Sequence, residues 1–378
     1  MTGPRASPAA DTAPGPALVE GRGPLSRTVV DALRSGRPPL HDTADAIAAA
    51  VLRADPTGED LQLALFLLYE LHYRGFEGVA ADLEWDPDLL RLRRVLEDRF
   101  LHALRMDLTS APRSVEEAFA PLLLEPVDLS GSLSHYLETE GELWQLREYA
   151  TLRSLYHLKE ADPHAWVIPR LTGRAKAAMV AIEYDEFGAG RPERIHARLF
   201  ADLMADLGLN PAYGRYLDRA PAPLLATVNL MSLLGLHRTL RGALVGHFAC
   251  VEVTSSPGSR RLAKAMRRCG AGPAAEHFYA EHVEADAVHE QVVRGEVIGG
   301  LLAEEPGLEA DIAFGCAATL LLEDRLTAHI RAAWDKNRSA LREPSSPHDA
   351  LTSDSGEGRA MRIDESLYPG SPYGAHRE

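Results

Sequence analysis

His282, Asp286 and His289 stand in the run FYAEHVEADAVHEQVV with the spacing HxxxDxxH. On a helix, at ~100° per residue, side chains so spaced point within about 60° of one another. Two imidazoles and a carboxylate on one line have the donor atoms of a transition-metal site. The line continues through Ala275 and Phe278 on one side and Val293 and Val297 on the other, so the trio occupies the face a fold should bury. Burial of three such groups is costly unless something binds them, and a metal ion is the usual answer. The competing reading is a solvated face, because Glu281, Glu284, Glu290 and His277 share the helix.

Partners for the trio are to be sought on other apolar stripes. The segment ERIHARLFADLMADLGL has the stripe His196, Phe200, Leu203, Leu207. The segment before it, GRAKAAMVAIEYDEFG, has the line Ala175, Met179, Ile182, Glu186, with an acid at a core position just ahead of Gly188. Helix dipoles disfavour an acid there as a mere surface residue. Further upstream, EYATLRSLYHLKEADP gives Tyr149, Leu152, Tyr156, Glu160, again ending in an acid before Pro163. Glu183 and Asp185 neighbour Glu186 and are alternatives to it, though the stripe favours Glu186. Glu252 and His247 read as a core or surface pair, with a supporting or substrate role for Glu252 as the alternative. Three His and three carboxylates suit two iron or manganese ions better than zinc alone or calcium. Facing helices of a bundle are where carboxylate-rich dimetal sites are built.

The elements that must aim these residues are helices. Apolar residues recur every three or four positions in DLQLALFLLYELHYRGF, DLLRLRRVLEDRFLHAL and ELWQLREYATLRSLYHLKEAD, while alternating strand patterns are nearly absent. The class expected is all-α, and residues 222–254 read as one long helix. Residues 1–24 are rich in Pro, Ala and Gly and read as a disordered tail, as does the Ser/Pro/Gly-rich end from 342 to 378. The chain of 378 residues carries 40 Lys and Arg against 55 Asp and Glu, a net charge of −15. That balance argues against a nucleic-acid binder and a polybasic membrane-surface protein. No apolar run suits a membrane span or a secretory signal. The three cysteines, Cys250, Cys269 and Cys316, build no disulfide framework or CxxC site, which points to a reducing cytoplasm.

In these motifs the sequence resembles the heme-oxygenase-like diiron oxidases and oxygenases, or iron-containing redox enzymes, over roughly residues 60–340. The resemblance rests on ELHYRGF, EWDPDLLRLRR, YHLKEADPHAWVIPRL, YDEFGAGRPERIHARLF, FYAEHVEADAVHE and AAWDKNRSALR. It implies a heme-oxygenase-like helical bundle at 131–341 with an N-terminal helical extension at 25–130 packed on it. The family pattern is a Glu, then a Glu and a His ten residues apart, then an HxxxDxxH helix. Glu160, Glu186, His196, His282, Asp286 and His289 fill all six positions. By the same resemblance one iron takes Glu160, His196 and His289, and the other Glu186, His282 and Asp286.

The function this implies is that of a non-heme diiron oxidoreductase that uses two Fe(II) per chain and O2. Its substrate would be a small amine, amino acid or fatty-acid-like molecule, altered by N-oxygenation, oxidative decarboxylation, desaturation or C–C cleavage. A small-molecule substrate is expected as partner, with no nucleic acid and no membrane; monomer and homodimer are both open. The alternative is a helical bundle that binds metal for structure or storage, and it would lack an apolar cavity beside the metals.

Overall fold

Four helices open the fold: α1 (Pro24–Ser35), α2 (Ala44–Arg53), α3 (Glu59–Glu70) and α4 (Pro87–Asp107). The computed structural model describes residues 15–37, 44–124 and 128–343, without the side chains at 44–46, 48, 284, 286 and 287. Among the described residues every regular element is helical and no strand occurs, as the periodicity requires. Every residue of α3 from Leu61 to Glu70 is buried, so this helix, apolar but for Gln62 and Glu70, lies inside the fold. α4 buries one stripe, Leu89, Leu92, Leu96, Phe100 and Leu104. Its start is fixed by Pro87 and by Asp86, whose side chain accepts from the backbone N–H groups of Asp88 and Leu89.

The short α5 (Val115–Phe119) and α6 (Leu133–Thr139) lead to α7 (Leu143–His157), the one-turn α8 (Asp162–Ala165), α9 (Gly173–Glu186) and α10 (His196–Asp206). α11 (Ala222–Leu236), α12 (Arg241–Cys269), α13 (Pro273–Val292), α14 (Gly299–Glu304) and α15 (Glu309–Trp334) complete the bundle. α12 packs along both α13 and α15, and α13 also packs on α10. Gly246 of α12 and Gly315 of α15 let two backbones touch. A Cβ at Gly246 would stand 1.9 Å from the Ile312 carbonyl oxygen, and one at Gly315 1.9 Å from that of Ala243. No side chain larger than hydrogen fits either place.

Two expectations need correction. The single helix expected over 222–254 is broken between α11 and α12, where His237 is extended. The Arg170 guanidinium donates to the carbonyls of Gly235 and Leu236, taking up the last acceptors of α11 and making the stop favourable. Part of the expected N-terminal tail is also ordered. Arg22 pairs with Glu59 at 2.7 Å and donates to the carbonyls of Leu217 and Ala220, so residues 15–24 lie against the bundle. One buried guanidinium supplies the anchoring that this Pro- and Gly-rich stretch lacks in apolar groups. Residues 1–14 and 344–378, the rest of the two expected tails, lie outside the described residues.

The helices before α5 are tied to the centre by a buried ion pair. The Lys159 ammonium is 3.0 Å from a Glu70 oxygen, and both side chains are almost wholly buried. The Tyr213 hydroxyl donates to the same carboxylate, and the Tyr73 ring lies 4.1 Å from the ammonium. Glu70→Ala would leave the buried Lys159 charge without its ion-pair partner, and the expected loss is about 3–5 kcal/mol in urea unfolding. A loss below about 1 kcal/mol would mean that water reaches Lys159.

Candidate metal centre

α13 presents His282 and His289, two turns apart and both buried. Nδ1 of His282 is 2.8 Å from the Phe278 carbonyl oxygen. A carbonyl only accepts, so Nδ1 carries the hydrogen and Nε2 of the neutral ring is the electron-pair donor. That is how metal-binding histidines are commonly held. Nε2 lies 3.7 Å from Oε1 of Glu160.

Glu160 is not on a helix. α7 ends at His157, and the chain turns through Ala161 at φ 74°, a region that side chains rarely adopt. Pro163, in the first turn of α8, cannot continue α7, and the turn swings Glu160 inward. The His157 ring N–H donates to its Oε1 at 3.0 Å. Burial pushes the Glu160 carboxyl up, but the attraction of His157 and the hydrogen bond it donates, with the His282 ring nearby, outweigh it. The group is held well below the usual carboxylate range.

Glu186 is the last residue of α9 and His196 the first of α10. Between them Gly188 has φ 77°, and a Cβ there would lie 2.7 Å from the Ile195 amide nitrogen. The turn that brings Glu186 and His196 together therefore needs glycine. Gly188→Ala should cost about 2–3 kcal/mol and weaken metal loading without touching a ligand, which calorimetry and metal analysis would show. Unchanged loading and melting would mean that the turn does not set the spacing. Nδ1 of His196 stands 2.7 Å from Oε2 of Glu186 yet has no aligned hydrogen bond. Burial pulls the His196 ring down, but Glu186 more than restores it, and its pKa ends above the ordinary value.

His289 closes the arrangement. Its Nδ1 is 3.3 Å from a Glu252 oxygen and 3.4 Å from one of Glu186, while Nε2 is 3.4 Å from Asp185. Two buried groups of donor atoms result: Glu160, His196 and His282, and Glu186, Glu252 and His289. Within each group all the donor atoms lie within 4.8 Å of one another. The Glu186–His196 contact joins the two.

Five of the six residues read from the sequence are thus brought together: Glu160, Glu186, His196, His282 and His289. The side chain of Asp286, the sixth, lies outside the described residues. The grouping differs from the family-based division, since His282 sits with Glu160 and His196, and His289 with Glu186. The cause is the helix itself: two turns separate the imidazoles, so one faces the α7–α8 turn and the other faces α12. Glu252, read as a core or surface residue, belongs to the second group. Its signal was present in the sequence, as an acid on the otherwise small or apolar line Val245, Ala249, Glu252 of α12. Glu183 stands in neither group. Burial, then repulsion from Glu186 and Glu252, pushes its carboxyl up to about 9, so it is a neutral acid.

The donor set fits iron. Oε2 of Glu160 is buried with no hydrogen-bond partner among the described residues, and Nδ1 of His196 meets a carboxylate out of hydrogen-bond alignment. A cation shared between such atoms satisfies both. Residues 147–324 match the model of a family described as iron-containing redox enzyme. The resemblance read from the motifs holds over this span, which contains every residue of both groups. No curated protein matches the chain. The matched family is described as an iron-containing redox enzyme and is all-α, and the two buried groups of His and Glu in this span could each hold a metal ion. Among the described residues, no helix is long and apolar enough to cross a membrane.

Proposed function

We propose that the protein is a non-heme diiron enzyme that uses O2 to oxidise a small molecule bound beside the two groups. One iron would be held by Glu160, His196 and His282, the other by Glu186, Glu252 and His289. The observation that carries this reading is a cavity lined at once by residues of both groups, including Glu160, Glu186, Glu252 and His282, and by Tyr156 and Phe248. A storage or structural site has no use for a cavity that opens on both groups and has an aromatic wall, whereas a substrate needs one.

When bound, two ferrous ions supply the electrons that activate dioxygen. The residues do the rest. Tyr156 and Phe248 form the apolar wall against which a substrate packs and from which water is excluded. Glu183, neutral at its raised pKa, keeps a carboxyl proton one helical turn from Glu186. The Phe278 carbonyl holds the His282 tautomer.

Anaerobic titration with Fe(II) tests the reading. The expected end point is about two equivalents per chain, followed by rapid O2 uptake. A protein that binds no iron, or that binds it and leaves O2 untouched with a panel of amines, amino acids and fatty acids, is not this enzyme.

A further inference from the structure

Two histidines outside both metal groups form a chain whose hydrogens can be placed. The Thr319 hydroxyl is 2.8 Å from the Gly315 carbonyl oxygen, which can only accept, so the single hydroxyl hydrogen is spent there. Nδ1 of His247 is 2.7 Å from the same hydroxyl oxygen and must therefore donate to it. Nε2 of His247 then has the lone pair, and it faces Nε2 of His164 at 3.1 Å. Two lone pairs cannot face each other at that distance, so the hydrogen between them belongs to His164. Both rings are 1% exposed. Burial, together for His164 with the nearness of His247, pushes both below the ordinary imidazole value, His247 to about 4. Both are neutral, which leaves Nδ1 of His164 a pure acceptor. Among the described residues that nitrogen has no hydrogen bond, and His164 lines the cavity beside Glu160 and Tyr156.

We propose that His164 is a substrate-positioning residue, whose Nδ1 lone pair, fixed by the chain Gly315–Thr319–His247, accepts an N–H or O–H from the bound substrate. This rests on reading the cavity as a substrate chamber. No Lys or Arg lines the cavity beside it, so at this end the bare Nδ1 favours a donor group over a carboxylate or carbonyl. Thr319, on α15, sets this preference from outside the cavity. Without its hydroxyl, the Nδ1–H of His247 would be buried without an acceptor, and a buried unmet donor is poorly tolerated. Both rings would invert, with His247 donating from Nε2 and His164 left with Nδ1–H as a donor.

The test uses the full chain with 15N-labelled histidine and n-propylammonium as a donor-only probe, with propionate as its acceptor-only counterpart. Long-range nitrogen–proton spectra should show Nε2–H and bare Nδ1 on His164, and propylammonium should shift that Nδ1 saturably. His164→Phe should lower propylammonium affinity about tenfold, while His164→Asn, whose amide oxygen falls near the place of Nδ1, should stay within about threefold of the wild type. Thr319→Val should invert both tautomers and lower propylammonium affinity by about the same tenfold, with propionate gaining. An Nδ1–H tautomer on wild-type His164, or a propylammonium affinity that ignores both His164→Phe and Thr319→Val, overturns the proposal. Iron stoichiometry measured on the same samples judges the metal reading separately, since neither substitution removes a ligand.

Discussion

Alanine in place of His196 should lower Fe(II) affinity by more than about 100-fold, because loss of mere supporting partners around a metal already costs 10–100-fold. His196 gives an imidazole to the first group and stands 2.7 Å from an oxygen of Glu186 in the second, so its removal touches both irons. Glu252→Ala removes a ligand from the second group only, and about one iron per chain should remain. Glu160→Ala should likewise spare the second group. Helicity should survive in all three, since α7, α10 and α12 keep their buried apolar stripes. Iron analysis after anaerobic loading, with circular dichroism on the same samples, decides. Two irons in His196→Ala would remove the first group from the account.

Iron affinity should also fall steeply between about pH 7 and 5.5, because imidazole binds metal only when neutral. In the metal-free protein Glu186 raises His196, despite the burial that lowers it, so protons compete with iron for this ring already above its ordinary value of ~6.5. The His196–Glu186 attraction stabilises the metal-free fold fully below that value and is lost as pH rises through the raised pKa. Glu160, held below its usual range, contributes above ~4.3 and loses that contribution only as pH falls through its depressed pKa, so it does not cause the step. His164 and His247, kept neutral by burial, act in the other direction. Their folded pKa values are lowered, so each costs roughly 1.4 kcal/mol of stability by pH 5.5. A cost of about 3 kcal/mol is less than the 5–15 kcal/mol typical of a domain, so iron should leave before the bundle unfolds. Fe(II) titrations at several pH values, with helicity followed in parallel, check this. A flat profile would show that the histidines are not ligands.

The helical class and five of the grouped residues were legible in the sequence because burial on a helix is periodic. An acid or imidazole at a stripe position, as at Glu186, His196 and His289, advertises itself against apolar neighbours. What periodicity cannot express is the direction in which a chain turns once a helix stops. Glu160 appeared to end a helix and instead lies in the turn after it, aimed by the strained Ala161. The pairing of His282 with Glu160, and of His289 with Glu252, depends on which helices flank α13, a tertiary fact with no local trace. The break at His237 was hidden for a similar reason, since Arg170, some 65 residues away in sequence, satisfies the helix end. Arg22 shows the converse: composition argued for a tail, and one long-range ion pair orders part of it.

Diffraction from crystals grown with Fe(II) without oxygen, recorded on both sides of the iron absorption edge, reads the centre directly. Two anomalous peaks per chain are expected, one among Glu160, His196 and His282 and one among Glu186, Glu252 and His289. A single peak, or iron bound away from these residues, would contradict the diiron reading.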